Sequence, residues 1–141
     1  MPITISVEGD LTVVRVTGLF DSGALYEHGR SRPKLNPARE VQRVLVLIDE
    51  TARVNCSFAA IWDHSELRAR QMQGIESRTA IVATTDLAYG MSRIFETVNR
   101  REGALVRVFR SEAEARQWLL ETPETMKNVR LMTPVITLLA S

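Results

Sequence analysis

Val44-Leu45-Val46-Leu47-Ile48 is the stretch of sequence that decides the fold. An unbroken apolar run rich in β-branched residues is typical of a strand that is covered on both faces, as at the centre of a parallel sheet. The run ends at Asp49, so a loop leaves its carboxyl end. We therefore expect a sheet that is built around the strand Val44 to Asp49.

The residues before this strand predict an N-terminal hairpin and a short helix. Ile3 to Val7 alternates apolar and polar residues, Gly9-Asp10 provides a turn, and Leu11 to Thr17 is a second run rich in β-branched residues. From Asp21 the pattern favours a helical turn, followed by a surface loop through Pro37.

After the central strand, helical and strand patterns alternate. Apolar residues at helical spacing predict the helices, short apolar runs predict the strands, and Ser111 with Glu114 forms a capping-box pattern. The predicted elements are a helix from near Ser57 to Gln73, a strand from Thr79 to Thr84, a helix that Asp86 caps and that continues to Val98, a strand from Leu105 to Phe109, and a helix after Ser111. Such alternation favours parallel strands with helices packed on the sheet.

Length and composition predict a single domain. The chain has 141 residues, of which 45% are hydrophobic, and this is enough to bury a core. We place the domain at residues 1–122 and treat residues 123–141 as an extension that packs on the same domain or on a second subunit. Val135 to Leu139 in that extension has a strand-like pattern.

Charge and cysteine content argue against several classes of function. The 18 basic and 17 acidic residues leave a net charge of +1, which predicts no nucleic-acid partner. The apolar runs are much shorter than the roughly 20 residues of a membrane span. With Cys56 as the single cysteine and no signal-peptide pattern, we expect a cytoplasmic protein without an internal disulfide. We expect no cofactor and no metal site.

Four segments carry a resemblance to a known family. They are residues 46–49, 59–63, 79–82 and 108–112, the last of which is followed by Ala115 and Trp118-Leu119. Their order and spacing resemble the SpoIIAA-like family of small bacterial proteins. That family is related in fold to STAS domains and to CRAL-TRIO lipid-binding domains. The resemblance implies an α/β fold with a mixed sheet of about five strands and helices mainly on one face. It implies binding of partner proteins or apolar ligands, and it supplies no catalytic residues.

In STAS regulators a serine at the start of the helix after the central strand is phosphorylated, and Ser57 stands at the matching position. The surrounding Asn55-Cys56-Ser57-Phe58 lacks the acid and the glycine of the usual motif. One interpretation is a phosphorylation switch near Ser57, since phosphate at a helix N-terminus is favoured. The other is that Ser57 or Asn55 simply caps the helix.

Carboxylates at strand ends form a second candidate site. Asp49 and Glu50 follow the central strand and Asp86 follows the next, so they could gather at the edge where open α/β sheets bind ligands. Alternatively, Asp86 caps its helix, and Asp49 bonds backbone amides of the following loop.

Apolar side chains on two neighbouring helices form a third candidate. Phe58, Trp62, Met91 and Phe95 lie on inward stripes, where core packing is the ordinary role. The alternative is that they line a pocket for a small apolar ligand.

No nucleophile and base are brought together by these patterns. Cys56 and His64 would lie roughly 12 Å apart along a helix, and Ser57 and His64 about 10 Å. We therefore predict a non-catalytic binding or protein-interaction module that forms a homodimer. Its partner is a regulatory protein or a small apolar ligand. The alternatives are a STAS-type regulator controlled by phosphorylation near Ser57 and a small hydrolase.

Overall fold

The computed structural model describes residues 2–31, 35, 40–101 and 104–121. The strands are β1 (Ile3–Glu8), β2 (Leu11–Val16), β3 (Leu19–Asp21), β4 (Val41–Ile48), β5 (Arg53–Asn55), β6 (Glu76–Ala83) and β7 (Leu105–Phe109). The helices are α1 (Ser22–Arg30), α2 (Phe58–Gln71), α3 (Asp86–Arg101) and α4 (Glu112–Leu119). The predicted strand at Val135 to Leu139 and the extension at 123–141 lie outside the described residues.

The main sheet has five strands in the order β1-β2-β4-β6-β7. The β1–β2 pair is antiparallel and turns at Gly9, whose positive φ of 57° suits a tight hairpin. The pairs β2–β4, β4–β6 and β6–β7 are parallel. This mixed five-stranded sheet confirms the predicted fold class, with the hairpin first and the strand-helix units after it.

The strand β4 contains the apolar run Val44 to Ile48 and lies at the centre of the sheet, as the sequence predicts. β4 has β2 on one side and β6 on the other, so it is central in the sheet. Leu45 is fully buried in the core on one face, and Val46 packs into the core on the opposite face. The unbroken apolar run therefore reflects burial of both faces.

Two short strands were not anticipated. β3 and β5 form a separate parallel pair, with Leu19 opposite Arg53 and Asp21 opposite Asn55. The predicted helical turn after Asp21 is a helix of nine residues, α1, because the Asp21 carboxylate caps it by accepting from Ala24 N at 2.9 Å.

The helices divide unequally between the two faces. Helix α4 covers one face, where its Ala115 and Leu119 are fully buried against the sheet residues Val13, Leu45 and Ala80. Helices α1, α2 and α3 lie on the other face. Three of the four described helices therefore share one face, as predicted.

On that second face, α3 is bound directly to the sheet. Ala88 of α3 is buried against Ile81 and Val108, and Glu96, about two turns further along the helix, is buried as well. The Glu96 carboxylate, only 2% exposed, accepts from the backbone amide of Val108 at 2.8 Å and pairs with Arg100 at 2.9 Å. A buried acid that is hydrogen-bonded in this way holds α3 against β7.

Helices α1 and α2 are bound mainly to each other and to α3. Their shared core contains Leu25, Ala60, Ile61 and Val98. At Gly29 an added Cβ would stand 3.2 Å from the Leu67 side chain, so the absence of a side chain there permits the close approach of the two helices. The pair is therefore a layer of its own above the sheet.

Candidate functional site

A cleft of about 500 Å³ separates α1 and α2 from the sheet. Its floor is the sheet face that includes Ile5 of β1, Val14 of β2, Val44 of β4 and Val106 of β7. These residues share one face because alternate residues of a strand point the same way and the strands are in register. The volume lies within the range of sites for small organic ligands, which is about 300 to 1,000 Å³.

The roof of the cleft comes from all three helices of this face. The roof residues are His28 of α1, His64, Ser65, Arg68 and Ala69 of α2, Met72 at the C-cap of α2, and Phe95 and Asn99 of α3. The α2 members recur at helical spacing and form one stripe. This stripe combines small and polar residues, so it leaves space where longer apolar side chains would reach the sheet.

Two histidines stack at the junction of α1 and α2. The rings of His28 and His64 lie 5.6 Å apart at an angle of 12°, and the ring of Phe95 lies 5.4 Å from that of His64. Burial lowers the pKa of His64 to about 3, and the positive charge of Arg68 acts in the same direction. For the same two reasons the pKa of His28 falls to about 4. Both rings are therefore neutral at pH 7.

Arg68 is occupied in joining the two helices. Its guanidinium donates to the carbonyls of His28 at 2.9 Å and Ser31 at 3.0 Å, and to Gln71 Oε1 at 2.7 Å. Gln71 in turn donates to the carbonyl of Gly29 at 3.1 Å. These bonds add side-chain donors to carbonyls in the last turn of α1, where the backbone amide of Ser31 also donates to the His28 carbonyl at 3.2 Å.

Two polar side chains on the roof are deeply buried and unpartnered. His64 is 6% exposed and Ser65 is 1% exposed. Neither ring nitrogen of His64 nor the hydroxyl of Ser65 has a hydrogen-bond partner among the described residues. Buried polar atoms are nearly always hydrogen-bonded, so this neighbouring pair marks a place where a bound molecule can supply the missing partner.

The predicted apolar pocket differs from the cleft in position. Of its four residues, Phe95 lines the cleft, whereas Phe58, Trp62 and Met91 lie outside the lining. Phe58 is 59% exposed, and Trp62 packs under the guanidinium of Arg101, with 3.5 Å from the carbon of that group to the ring centre. The four residues lie on α2 and α3, and three of them are on a side of these helices that does not line the cleft.

The residues at the end of β4 are engaged locally. The carboxylate of Asp49 accepts from the backbone amide of Thr51 at 3.0 Å and from its hydroxyl, and these bonds lower the pKa of Asp49. This is the loop-bonding role that was the alternative to a ligand site. Glu50 is exposed in the adjoining turn, and Asn55 pairs with Asp21 in the small sheet.

Ser57 caps α2. Its hydroxyl accepts from the backbone amide of Ala60 at 3.1 Å, and its own amide donates to Ser22 Oγ at 2.8 Å. The capping interpretation is therefore correct for Ser57. Phosphorylation at this residue stays a prediction.

The predicted capping role of Asp86 is wrong. Thr85 caps α3, since its hydroxyl accepts from the backbone amide of Ala88 at 3.2 Å. Asp86 is the first residue of the helix, and its side chain is almost fully exposed and pairs with Arg110 at 2.9 Å. The hydroxyl of Thr85, one residue before Asp86, occupies the capping position instead.

Cys56 is a buried thiol in the core of α1, α2 and α3. Burial raises its pKa to about 11, and the nearby carboxylate of Asp21 raises it further. Because the thiolate is the nucleophilic form, a thiol with this pKa is poorly suited to attack a substrate at neutral pH.

His28, Ser65 and Arg68 were missed as site residues, and His64 was considered only as a base for Cys56 or Ser57. The available signal lay in α2, where His64, Ser65 and Arg68 share a stripe with the buried Ile61. Polar residues on the inward stripe of an amphipathic helix indicate a face that meets something other than a packed core.

Neither metal binding nor a membrane span has support in the described part of the chain. No three residues of the metal-binding types His, Cys, Asp and Glu gather there as an ion site. None of the helices described combines the length and the apolar character that crossing a membrane requires.

Comparisons with known proteins bear on the fold only. No protein-family model matches the chain, and no curated protein matches it. In structure it is similar to an uncharacterised protein of the DUF3478 family from Shewanella loihica with a SpoIIAA-like fold. The TM-score is 0.47 and the identity 18%, over 83% of this chain and 91% of that one. This likeness assigns no residue of the chain a role.

Proposed function

We propose that this protein is a non-catalytic binding module that holds a small, largely apolar molecule in the cleft between α2 and the sheet. The observation that supports this most is the cleft itself, about 500 Å³ in volume with Val14, Val44 and Val106 on its floor. The cleft is partly open to solvent, and an apolar molecule that enters it removes the apolar surface of the floor from water. That burial would favour binding.

The polarity of the lining supports an amphipathic ligand. The floor contributes valine and isoleucine side chains together with Thr12 and Thr79, and the roof contributes the neutral rings of His28 and His64 together with Ser65. Binding sites for small molecules commonly combine a mostly apolar surface with a few placed polar groups. The ligand would lie with its apolar part on the sheet and its polar part towards α2.

The chemistry of the nucleophile candidates supports a non-catalytic role. Cys56 is held as a thiol, and the hydroxyl of Ser57 serves as the cap of α2. His64 is a neutral ring that stacks on His28 and packs at an angle against Phe95. A general base needs a partner within hydrogen-bond reach, and the ring nitrogens of His64 have none among the described residues.

The proposal is tested by filling the cleft from its roof. Ala69 lines the cleft on α2, so Ala69→Trp places an indole in the space that the ligand needs. We expect wild-type protein to enhance the fluorescence of Nile red, an uncharged apolar dye, and the variant to lose that enhancement. The matched control is Ala59→Trp, because Ala59 is exposed on the same helix and outside the cleft.

Equal dye binding by Ala69→Trp and wild type, with both folded by circular dichroism, would contradict the proposal, as would a wild-type protein that binds no dye. Native mass spectrometry of gently purified protein then identifies any retained molecule. The same spectrum tests the expected homodimer, which would appear at twice the chain mass.

A further inference from the structure

The deepest polar groups of the cleft roof are adjacent on α2. His64 and Ser65 are both more than nine-tenths buried, and their polar atoms lack partners within the described chain. An unmet hydrogen bond in a buried place destabilises the fold. The cleft that these residues line is where a bound molecule can meet that need.

The hydrogen bonds that these two residues offer are uncharged. A neutral imidazole presents one N–H donor and one acceptor nitrogen, and a serine hydroxyl both donates and accepts. His64 stays neutral because it is buried between two rings and close to the cation of Arg68. The pair is therefore suited to a group that can both give and take a hydrogen bond.

The cations of the cleft lining are already engaged with the protein. The guanidinium of Arg68 binds carbonyls at the end of α1. The side chain of Arg78 turns to the opposite face of the sheet, where it stacks on Trp118 of α4 and binds the carbonyl of Glu121 at 3.0 Å and its carboxylate at 3.2 Å. Its Nε has no partner among the described residues, but it does not face the cleft roof. Glu76 at the cleft adds a negative charge. A ligand anion would have to displace the bonds of Arg68, and a ligand cation would meet the charge of Arg68.

We infer that the molecule held in the cleft carries an uncharged hydrogen-bonding head, such as a hydroxyl, that binds His64 and Ser65 while its hydrocarbon part lies on the valine floor. The inference rests on the proposed function, since it specifies the ligand of the same cleft. The polar atoms of both side chains are shut off from solvent as they stand, so the head reaches them after a side-chain rotation.

The test compares three polar head groups, each attached to the same hydrocarbon chain. Isothermal titration calorimetry at pH 7.5 would measure 1-decanol, decanoate and decylammonium with the wild-type protein. We expect decanol to bind at least about tenfold more tightly than either ion, because burying a charge without a free partner is costly. Decanoate or decylammonium binding as tightly as decanol would overturn the inference.

Two variants locate the head. Ser65→Ala removes the hydroxyl alone and His64→Leu removes both ring nitrogens, and each should weaken decanol binding by about threefold to tenfold, the worth of one net hydrogen bond. The control is Ser92→Ala, a buried serine of α3 that does not line the cleft, which should leave the affinity unchanged. Unchanged affinity in both folded cleft variants would also overturn the inference. If none of the three molecules binds the wild type, the proposed function fails, and the inference fails with it.

Discussion

The two faces of the sheet are covered by helices in different ways. On one face, α4 is pressed against the strands, so that Val13, Leu45 and Leu119 are fully buried in a single core. On the other face, α1 and α2 share a core with α3 and leave a cleft of about 500 Å³ above the sheet. An amphipathic helix can therefore bury its apolar stripe against other helices and leave the sheet beneath it uncovered.

The side chains that each helix turns to the sheet explain the difference. Helix α4 presents Leu119 and Trp118, which are long enough to fill the layer. Helix α2 presents Ser65, Arg68 and Ala69, which are short or are held by other partners. The size and polarity of a few residues, and not the helical period, decide which face is filled.

The largest expected contrast between the faces comes from one substitution at adjacent positions of β2. Val13→Phe should cost about 3 kcal/mol of stability, because the added ring has no room under α4. Val14→Phe should cost less than about 1 kcal/mol, because Val14 lines the cleft and its new ring enters open space. Urea denaturation of the two variants and the wild type measures both values.

This contrast also bears on the binding proposal. Val14→Phe should lose Nile red binding while it keeps its fold, since the ring occupies the cleft. Equal destabilisation by the two substitutions would mean that both faces are packed alike, and the distinction between them would be lost.

A smaller effect on stability is expected at acid pH, and it comes from residues on the cleft face of the sheet. Both histidines of the chain, His28 and His64, lie on that face, and burial lowers their pKa values to about 4 and about 3. In the unfolded chain they have a pKa near 6.5. Below that pH the unfolded state takes up protons that the folded state does not, so stability falls as the pH drops from about 6.5 towards 4.

The variant His64→Leu isolates this effect. Between pH 7 and pH 5, the wild type should lose about 1 to 2 kcal/mol more of its unfolding free energy than the variant, whose leucine cannot take up a proton. Urea midpoints at the two pH values measure the difference. Parallel losses in both proteins would show that His64 is not held neutral by the fold.

The fold follows from the sequence to a large extent, because its main determinants are local. The run Val44 to Ile48 predicts the central strand, and the alternation after it predicts parallel strands, as the β4–β6 and β6–β7 pairs are. The small sheet at Leu19–Asp21 and Arg53–Asn55 was missed, since strands of three residues are too short for a period to be visible. Its pairing depends on residues far apart in the chain.

The candidate site was predicted less well, for a physical reason. Helical spacing shows which residues share a stripe, but it does not show whether the stripe touches another helix or a sheet. The spacing therefore suggests Trp62 and Met91 for a pocket, although they pack on the core between the helices, and it does not mark His64 and Ser65. The distance between layers depends on the packing of the whole molecule.

The central claim is that α1 and α2 leave the sheet beneath them uncovered. A crystal structure of the protein under xenon pressure tests it most directly. Xenon binds in apolar space within proteins. We predict xenon density above Val14 and Val44, on the floor of the cleft, and none beneath α4. The claim would be contradicted if Ala69 and Met72 of α2 stood in direct contact with those valines, with no xenon between them.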